Sequence, residues 1–538
     1  MKYTYSLLIL ISCMVSLSAQ NNFNIEVVAN VGHDERVNDV WGYVDEDTGV
    51  EYAIMGSLTK TSIWSLADPS NPEFLISFDG PSSIWRDIKS YEDHLYVSAE
   101  REKEGLLIID MSSAPDTITA TNYRPEIDLG LTTDTLHTIH NIFIDEEEGI
   151  CYLAGSNISN GGILFFDLKT NKKSPDYIGA QDFDYAHDVF VRNDRMYTSD
   201  INSGVFSIYD ISDMSNPTLL GQEATIKNFS HNAWLSDDDN ILFTTDERPD
   251  AWVEAYDVSD PTDITFLDRF QPFETKNTGV IPHNVHYDNG FLVTSWNTDG
   301  LVIIDANDPT NLVKVAAYDT ELEIESGSGG LWGAYPYLPS GLILGSDRWN
   351  GLFVFKPIKN NGDQGYQKAS YIEGTVTDAT TGLEIQNVDI RIISEEFVEA
   401  DTDIFGFYSS GHALEGEYEV QFSKDQYDTY TTNVSFEQGE TVIVNAALSS
   451  LVDVKEVLEL NYSLSPNPAK DQIAIEIPAD IEGVGTIEIY NQLGETLIRQ
   501  KITNKSQHID ISALAAGTYL TRIHTYAGYT SVISFIKS

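Results

Sequence analysis

Residues 187–221 read HDVFVRNDRMYTSDINSGVFSIYDISDMSNPTLLG. Read as β-structure, the stretch holds almost four strands. His187 to Val191 is the first, Asp194-Arg195 a turn and Met196 to Ser199 the second. Gly204 to Tyr209 is the third, Ser215-Asn216-Pro217 turns the chain, and Thr218 to Gly221 begins the fourth. Alternating β-branched and aromatic residues between Asn, Asp, Gly and Pro turns specify a four-stranded antiparallel sheet.

The same unit recurs on either side. Its marker is a polar pair followed by an apolar strand: Asn38-Asp39-Val40-Trp41, Arg86-Asp87-Ile88, His140-Asn141-Ile142-Phe143, His187-Asp188-Val189-Phe190, His231-Asn232-Ala233-Trp234 and His283-Asn284-Val285-His286. A degenerate seventh copy starts at Trp332-Gly333-Ala334-Tyr335. The markers fall roughly 44 to 54 residues apart, a period that belongs to propeller blades. The expected fold is therefore all-β: a seven-bladed β-propeller over residues 24–356, followed by two small β-sandwich modules. The last unit lacks a fourth strand after Gly351 to Phe355, and Asn24 to Val31 is the segment expected to fill that place and close the ring.

Composition narrows the setting. Acidic residues outnumber basic ones by 84 to 31, a formal charge of -53 that repels phosphate backbones and excludes nucleic acid as a partner. Lys2, the apolar run Leu7 to Val15 and the small residues Ser16 to Ala19 read as a signal peptide over 1–19. No later stretch reaches the roughly 18 apolar residues of a membrane-spanning helix, so no transmembrane insertion of the mature chain is expected. Removal of Cys13 with the leader would leave Cys151 as the single cysteine, read as buried and inert.

The segments Gly105-Leu106-Leu107-Ile108-Ile109-Asp110, Gly204 to Asp210 and Gly300-Leu301-Val302-Ile303-Ile304-Asp305 resemble the LVIVP repeats of the choice-of-anchor B family. That resemblance implies an exported bacterial propeller and carries no defined activity. A linker over 357–370 leads to residues 371–449. There Gly374-Thr375-Val376-Thr377-Asp378, Asp403 to Tyr408 and Gly416-Glu417-Tyr418 resemble the carboxypeptidase-regulatory-like, or carbohydrate-binding-like, β-sandwich. No peptidase zinc motif accompanies it, and Tyr427 and Tyr430 are either a glycan platform or core residues. After a second linker, 450–461, residues 462–538 contain Ser463-Leu464-Ser465-Pro466-Asn467-Pro468, Ile487 to Gly494 and Leu514 to Tyr519. This stretch is similar to the C-terminal sorting domain of the type IX secretion system of Bacteroidetes. The similarity implies the type IX secretion machinery as a partner, and a secreted or outer-membrane cell-surface location.

In a propeller the first strand of each blade lines the channel, so equivalent starts lie on one ring. Four of 11 histidines, His140, His187, His231 and His283, share that phase. The second strand returns to the same face, which should bring Glu100, Arg101, Asp200, Asp246, Glu247, Arg248, Trp296, Asp347 and Arg348 to the mouth, with Arg86 at the histidine position of the second unit. Three uses of this rim compete. Histidines with Asp200 or Asp246 could hold a divalent metal, calcium or a transition metal. Arg86, Arg248 and Arg348 could bind a carboxylate or phosphate, with Glu100, Arg101, Trp296, Asp347 and the histidines completing a small-molecule, glycan or protein site. Or the polar pair simply hydrogen-bonds neighbouring blades. Asp237-Asp238-Asp239-Asn240 lacks the spacing of a calcium loop and reads as a solvated hairpin. The leading expectation is a ligand-binding or scaffolding propeller, with a metal-dependent enzyme at the histidine-lined mouth or a glycan-binding surface protein as alternatives. No catalytic residue is nominated, since phosphate-cradling, nucleophile-elbow and HExxH motifs are missing in an appropriate context.

Overall fold

The computed structural model describes residues 22–100, 104–128, 132–158, 160–181, 184–321, 327–394, 397–451, 462–477, 485–525 and 530–538. The expected signal peptide, Arg101 and most of the second linker lie outside the described residues. Among those described there is no helix long and apolar enough to cross a membrane. The chain divides into two compact units, one holding residues up to 369 with 412–414, the other the remaining residues from 370 on.

The first unit is built from four-stranded antiparallel sheets, seven among the described residues. The stretch quoted above gives Asp188–Arg192, Arg195–Asp200, Val205–Asp210 and Thr218–Ala224, paired in sequence order. Six sheets follow this plan. The seventh combines Leu331–Tyr335, Ile343–Asp347 and Gly351–Pro357 with Ile25–Val31, which pairs antiparallel with Ile25 opposite Pro357 and Val31 opposite Leu352. Repeats and sheets together fit a propeller-like fold.

Burial follows strand position. The second strands Ile150–Ala154, Phe291–Ser295 and Ile343–Asp347 are buried at every residue, because each sheet is covered on both faces by its neighbours. Fourth strands are more open on the whole: Thr218–Ala224 is mostly exposed, although Val313–Tyr318 is mostly buried. Cys151 sits in a buried second strand, where burial pushes its thiol pKa up and keeps it protonated. The aspartates that close the third strands have a turn role. Asp210 accepts hydrogen bonds from the Ser212 amide at 2.9 Å and hydroxyl at 2.6 Å, and Asp213 treats Ser215 alike. Asp260 with Thr262 and Asp308 with Thr310 repeat the device, which fixes the crossing to the outer strand. In the 237–240 hairpin Asp238 accepts from Ser236 and Asn240, as a solvated turn should.

The second unit holds two pairs of sheets. In residues 371–449 a sheet through Ser370–Asp378 faces one through Asp389–Ile393 and Gly416–Ser423 over a core of Ile372, Val376, Ile390, Tyr408, Val420 and Phe422. In the last module Gln472–Glu476 and Ser506–Asp510 pack on a sheet of Thr496–Lys501, Gly485–Tyr490, Gly517–Thr525 and Thr530–Lys537, around Ile473, Ile475, Ile487, Ile489 and Phe535.

Candidate functional site

The seven first strands lie side by side. Val37–Val44 neighbours Ile88–Tyr91, the succession runs on through the later units to Leu331–Tyr335, and Leu331–Tyr335 neighbours Val37–Val44. Equivalent positions therefore form layers. The first layer holds Arg86, the four histidines and Trp332, and the second Asp39, Asp87, Asn141, Asp188, Asn232 and Asn284. Two residues further on come Trp41, Lys89, Phe143, Phe190, Trp234, His286 and Tyr335.

In the first layer the rings form a row. Centroids are 4.1 Å apart for His140 and His187, 4.3 Å for His187 and His231, 4.6 Å for His231 and His283, and 3.9 Å for His283 and Trp332. His187 Nδ1 lies 3.1 Å from the His231 carbonyl oxygen, His231 Nδ1 3.1 Å from that of His283, and His283 Nδ1 2.6 Å from that of Trp332. A carbonyl only accepts, so each Nδ1 carries the proton and each Nε2 keeps its lone pair. Burial, reinforced by neighbouring imidazoles, lowers the pKa of His187 and His231; His283 is lowered by burial, His231 and Arg348. All three are held neutral. His140 Nδ1 instead meets Glu100 Oε2 at 3.1 Å.

The other residues expected at this mouth are placed as follows. Arg86 is buried and committed to Glu104 at 2.8 Å, the Ser57 carbonyl at 3.0 Å and the Pro81 carbonyl. Asp200 accepts from the Ser207 hydroxyl at 2.6 Å, and burial pushes it up to about 6. Asp246 accepts from the Thr225 hydroxyl and Lys227 amide, both at 2.6 Å, and Asp347 from Thr320 at 2.6 Å and the Trp349 and Asn350 amides. Trp296 is a core residue, edge-on to Phe270. The Arg248 guanidinium lies 3.6 Å over the Phe229 ring and that of Arg348 3.5 Å over Trp332. Burial, then Arg36, pushes Arg348 down to about 9. The histidines, Glu100, Arg348 and Glu247 come together; Glu247 Oε2 is 3.6 Å from His231 Nε2.

The second layer sews sheets together. Asp87 accepts from the Ile142 amide of the next unit at 2.7 Å, Asp188 from the side-chain amides of Asn141 at 3.2 Å and Asn232 at 2.9 Å, and Asn232 from the Val285 amide at 2.9 Å. Gly333 completes the layer by omission: a Cβ there would stand 2.5 Å from Asp39 Oδ1.

Past the third layer the channel widens into a cavity of about 810 Å³. Its floor is aromatic. Trp234 packs against Phe190 at 4.9 Å, His286 at 4.5 Å and Tyr337 at 5.8 Å, and Trp41 against Tyr335 at 4.6 Å. The rim is acidic, with Asp145, Glu146, Glu147, Glu148, Asp194, Asp237 and Asp288. Two cations belong to it. Arg192 pairs with Asp239 at 3.1 Å, and Lys89 Nζ sits 4.3 Å over the Trp41 ring, held by Asp87 at 2.6 Å. Sequence reading missed this end. The aromatic that recurs two residues after the polar pair, as at Trp41, Phe143, Phe190 and Trp234, was its signal, hidden because a core strand would show the same pattern.

Comparison with known families matches three parts of the chain. Residues 184–225 and 291–320 match the LVIVD repeat, residues 371–449 the carboxypeptidase regulatory-like domain, and residues 463–537 the secretion system C-terminal sorting domain. The repeat ends in aspartate, as at Asp210 and Asp305, where the expected motif ended in proline. No curated protein matches the chain. The sorting domain places the protein among those delivered by the type IX secretion machinery to the cell surface or beyond.

Proposed function

We propose that the chain is an exported, seven-bladed propeller whose aromatic cavity binds amphipathic organic cations, such as amine-bearing small molecules or a basic side chain of a partner. The observation that carries this reading is the pairing of the Trp41, Trp234 and Tyr337 floor with seven rim carboxylates. Aromatic faces attract cations, and a carboxylate rim in a charge of -53 concentrates them at the mouth. The molecule already shows the chemistry once, in Lys89 over Trp41. Ring closure by Ile25–Val31 is supported by its pairing with Gly351–Pro357 and by the side-by-side succession of first strands. A signal peptide at 1–19 and membership of the choice-of-anchor B group accord with the repeat and sorting-domain matches.

The test is titration of the full mature chain with spermidine, arginine ethyl ester and choline, followed by tryptophan fluorescence and calorimetry, with neutral sugars as controls. The expected result is saturable binding of cations that weakens with salt and falls about tenfold in Trp234→Ala. A folded protein that ignores every cation, or binds them equally well without Trp234, overturns the reading. A glycan role for residues 371–449 has weaker support: the Tyr427 hydroxyl donates to Asp378 at 3.1 Å and its ring packs on the core, leaving Tyr430 as the exposed member.

A further inference from the structure

We infer that Nε2 of His231, Nε2 of His283 and a carboxylate oxygen of Glu247 form a binding site for a divalent transition metal of the zinc or cobalt class, at the histidine end of the channel. This site is independent of the cation cavity, which lies beyond the third layer.

Three observations meet here. The ligand atoms of these residues all lie within 4.8 Å of one another, with His231 Nε2 to Glu247 Oε2 at 3.6 Å. Bonds of roughly 2.0 to 2.1 Å to a shared ion need donors about 3.4 Å apart in a tetrahedron, so the carboxylate is nearly in place and small ring rotations bring in the rest. Next, both imidazoles are fixed in the metal-binding tautomer. Each donates its Nδ1 proton to a backbone carbonyl of the following unit, at 3.1 and 2.6 Å, which orients the ring and frees Nε2. The local chain geometry provides for this: the register with Ile241–Asp246 shifts between Ser230 and Asn232, so His231 sits in a bulge outside the regular pairing of its strand. Finally, the donors combine shelter with access. His231 and His283 are each 3 % exposed, whereas the Glu247 side chain is 24 % exposed and opens the site to solvent.

Donor chemistry selects the ion. Two neutral imidazoles and one carboxylate suit zinc, cobalt or nickel, while calcium needs six to eight oxygens. Three protein ligands leave a coordination position for water or an incoming ligand. A second acid–histidine cluster among the described residues, Asp93, His94 and Asp110, is a different case: Lys172 holds Asp93, and Lys173 holds Asp110 at 2.6 Å. The opposing feature at the proposed site is Arg348, stacked on Trp332 beside His283, whose charge repels a dication and attracts Glu247.

The test uses the full mature chain, stripped with chelator and titrated with cobalt(II) and zinc(II) by visible absorption and calorimetry. One cobalt per chain with ligand-field absorption is expected, together with a zinc-induced rise in melting temperature. Glu247→Gln, which leaves both imidazoles and their carbonyl bonds intact, should weaken binding by about tenfold or more, and His283→Ala should abolish the absorption. Arg348→Gln should tighten binding. Should His283→Ala unfold the chain, Glu247→Gln and Arg348→Gln still decide. Absence of stoichiometric cobalt, or binding unchanged by Glu247→Gln, overturns the proposal; the latter would assign the metal to surface carboxylates.

Discussion

The two ends of one channel are built by the same seven strands, yet they use their side chains in opposite ways. At the histidine end, the polar atoms that face inward mostly turn to backbone groups of the next unit, as His187 does to His231 and Asp87 to Ile142. At the aromatic end, three residues along, the side chains meet one another around open volume and leave rim carboxylates such as Glu147, Asp194 and Asp237 in solvent. The first arrangement joins sheets and leaves little beyond the Nε2 edges of His231 and His283 for a ligand; the second leaves a broad surface that can receive something else. Repetition thus supplies layers of equivalent positions, and the phase along the strand decides how far each layer is spent on joining sheets.

Breaking the joining layer should have the largest consequence. Arg86→Ala would strand the Glu104 carboxylate, 1 % exposed, without its partner, at a cost of about 3 to 5 kcal/mol in urea or thermal unfolding. By contrast, Trp234→Ala at the open end should reduce organic-cation affinity by roughly tenfold, on the order of 1 to 2 kcal/mol, with the fold intact by circular dichroism. His187→Ala sharpens the comparison, since it removes one hydrogen bond to the next unit and should cost about 1 kcal/mol. Cation binding at the far cavity should be unchanged in that variant.

The smallest effect concerns pH. Burial pushes Asp268 and Asp299 up to about 7; for Asp299 the Thr275 hydroxyl and Lys314 work against the shift, and Asp319 and Glu274 add to it. A carboxyl whose folded pKa lies above its unfolded value near 3.9 favours the fold fully below about pH 4 and loses that contribution as pH rises through about 7. Buried neutral histidines give the opposite slope as pH rises to about 6.5, so the carboxyl contribution is read as a difference: relative to Asp299→Asn, the melting temperature of the first unit should fall between pH 5 and pH 8. A difference that stays constant or grows over this interval would count against a neutral, buried Asp299.

Much of the architecture was legible because it repeats. The polar pair, the Asn-Gly and Asp-Pro turns and the missing last strand are local signals, and Ile25–Val31 was recognisable as the segment that pairs with Gly351–Pro357. The site was harder to read, because hydrogen-bond partners come from elsewhere in the chain. Asp246 is in phase with the histidines, but Thr225 and Lys227, from the loop after the preceding outer strand, claim its oxygens. The next residue, Glu247, is the carboxylate that reaches His231. Arg86 looked like a free guanidinium until Glu104, eighteen residues on, proved to be its partner. Phe143, Phe190 and Trp234 could not be told from core residues by periodicity, since a channel wall and a sheet interior share the same alternation.

A crystal structure of the mature chain grown with spermidine tests the division of labour between the two ends most directly. The account predicts density for the cation over Trp41 and Trp234 within the acidic rim, with the histidine row unchanged. Spermidine on the outer strands alone, or a cavity filled by its own side chains, would contradict it.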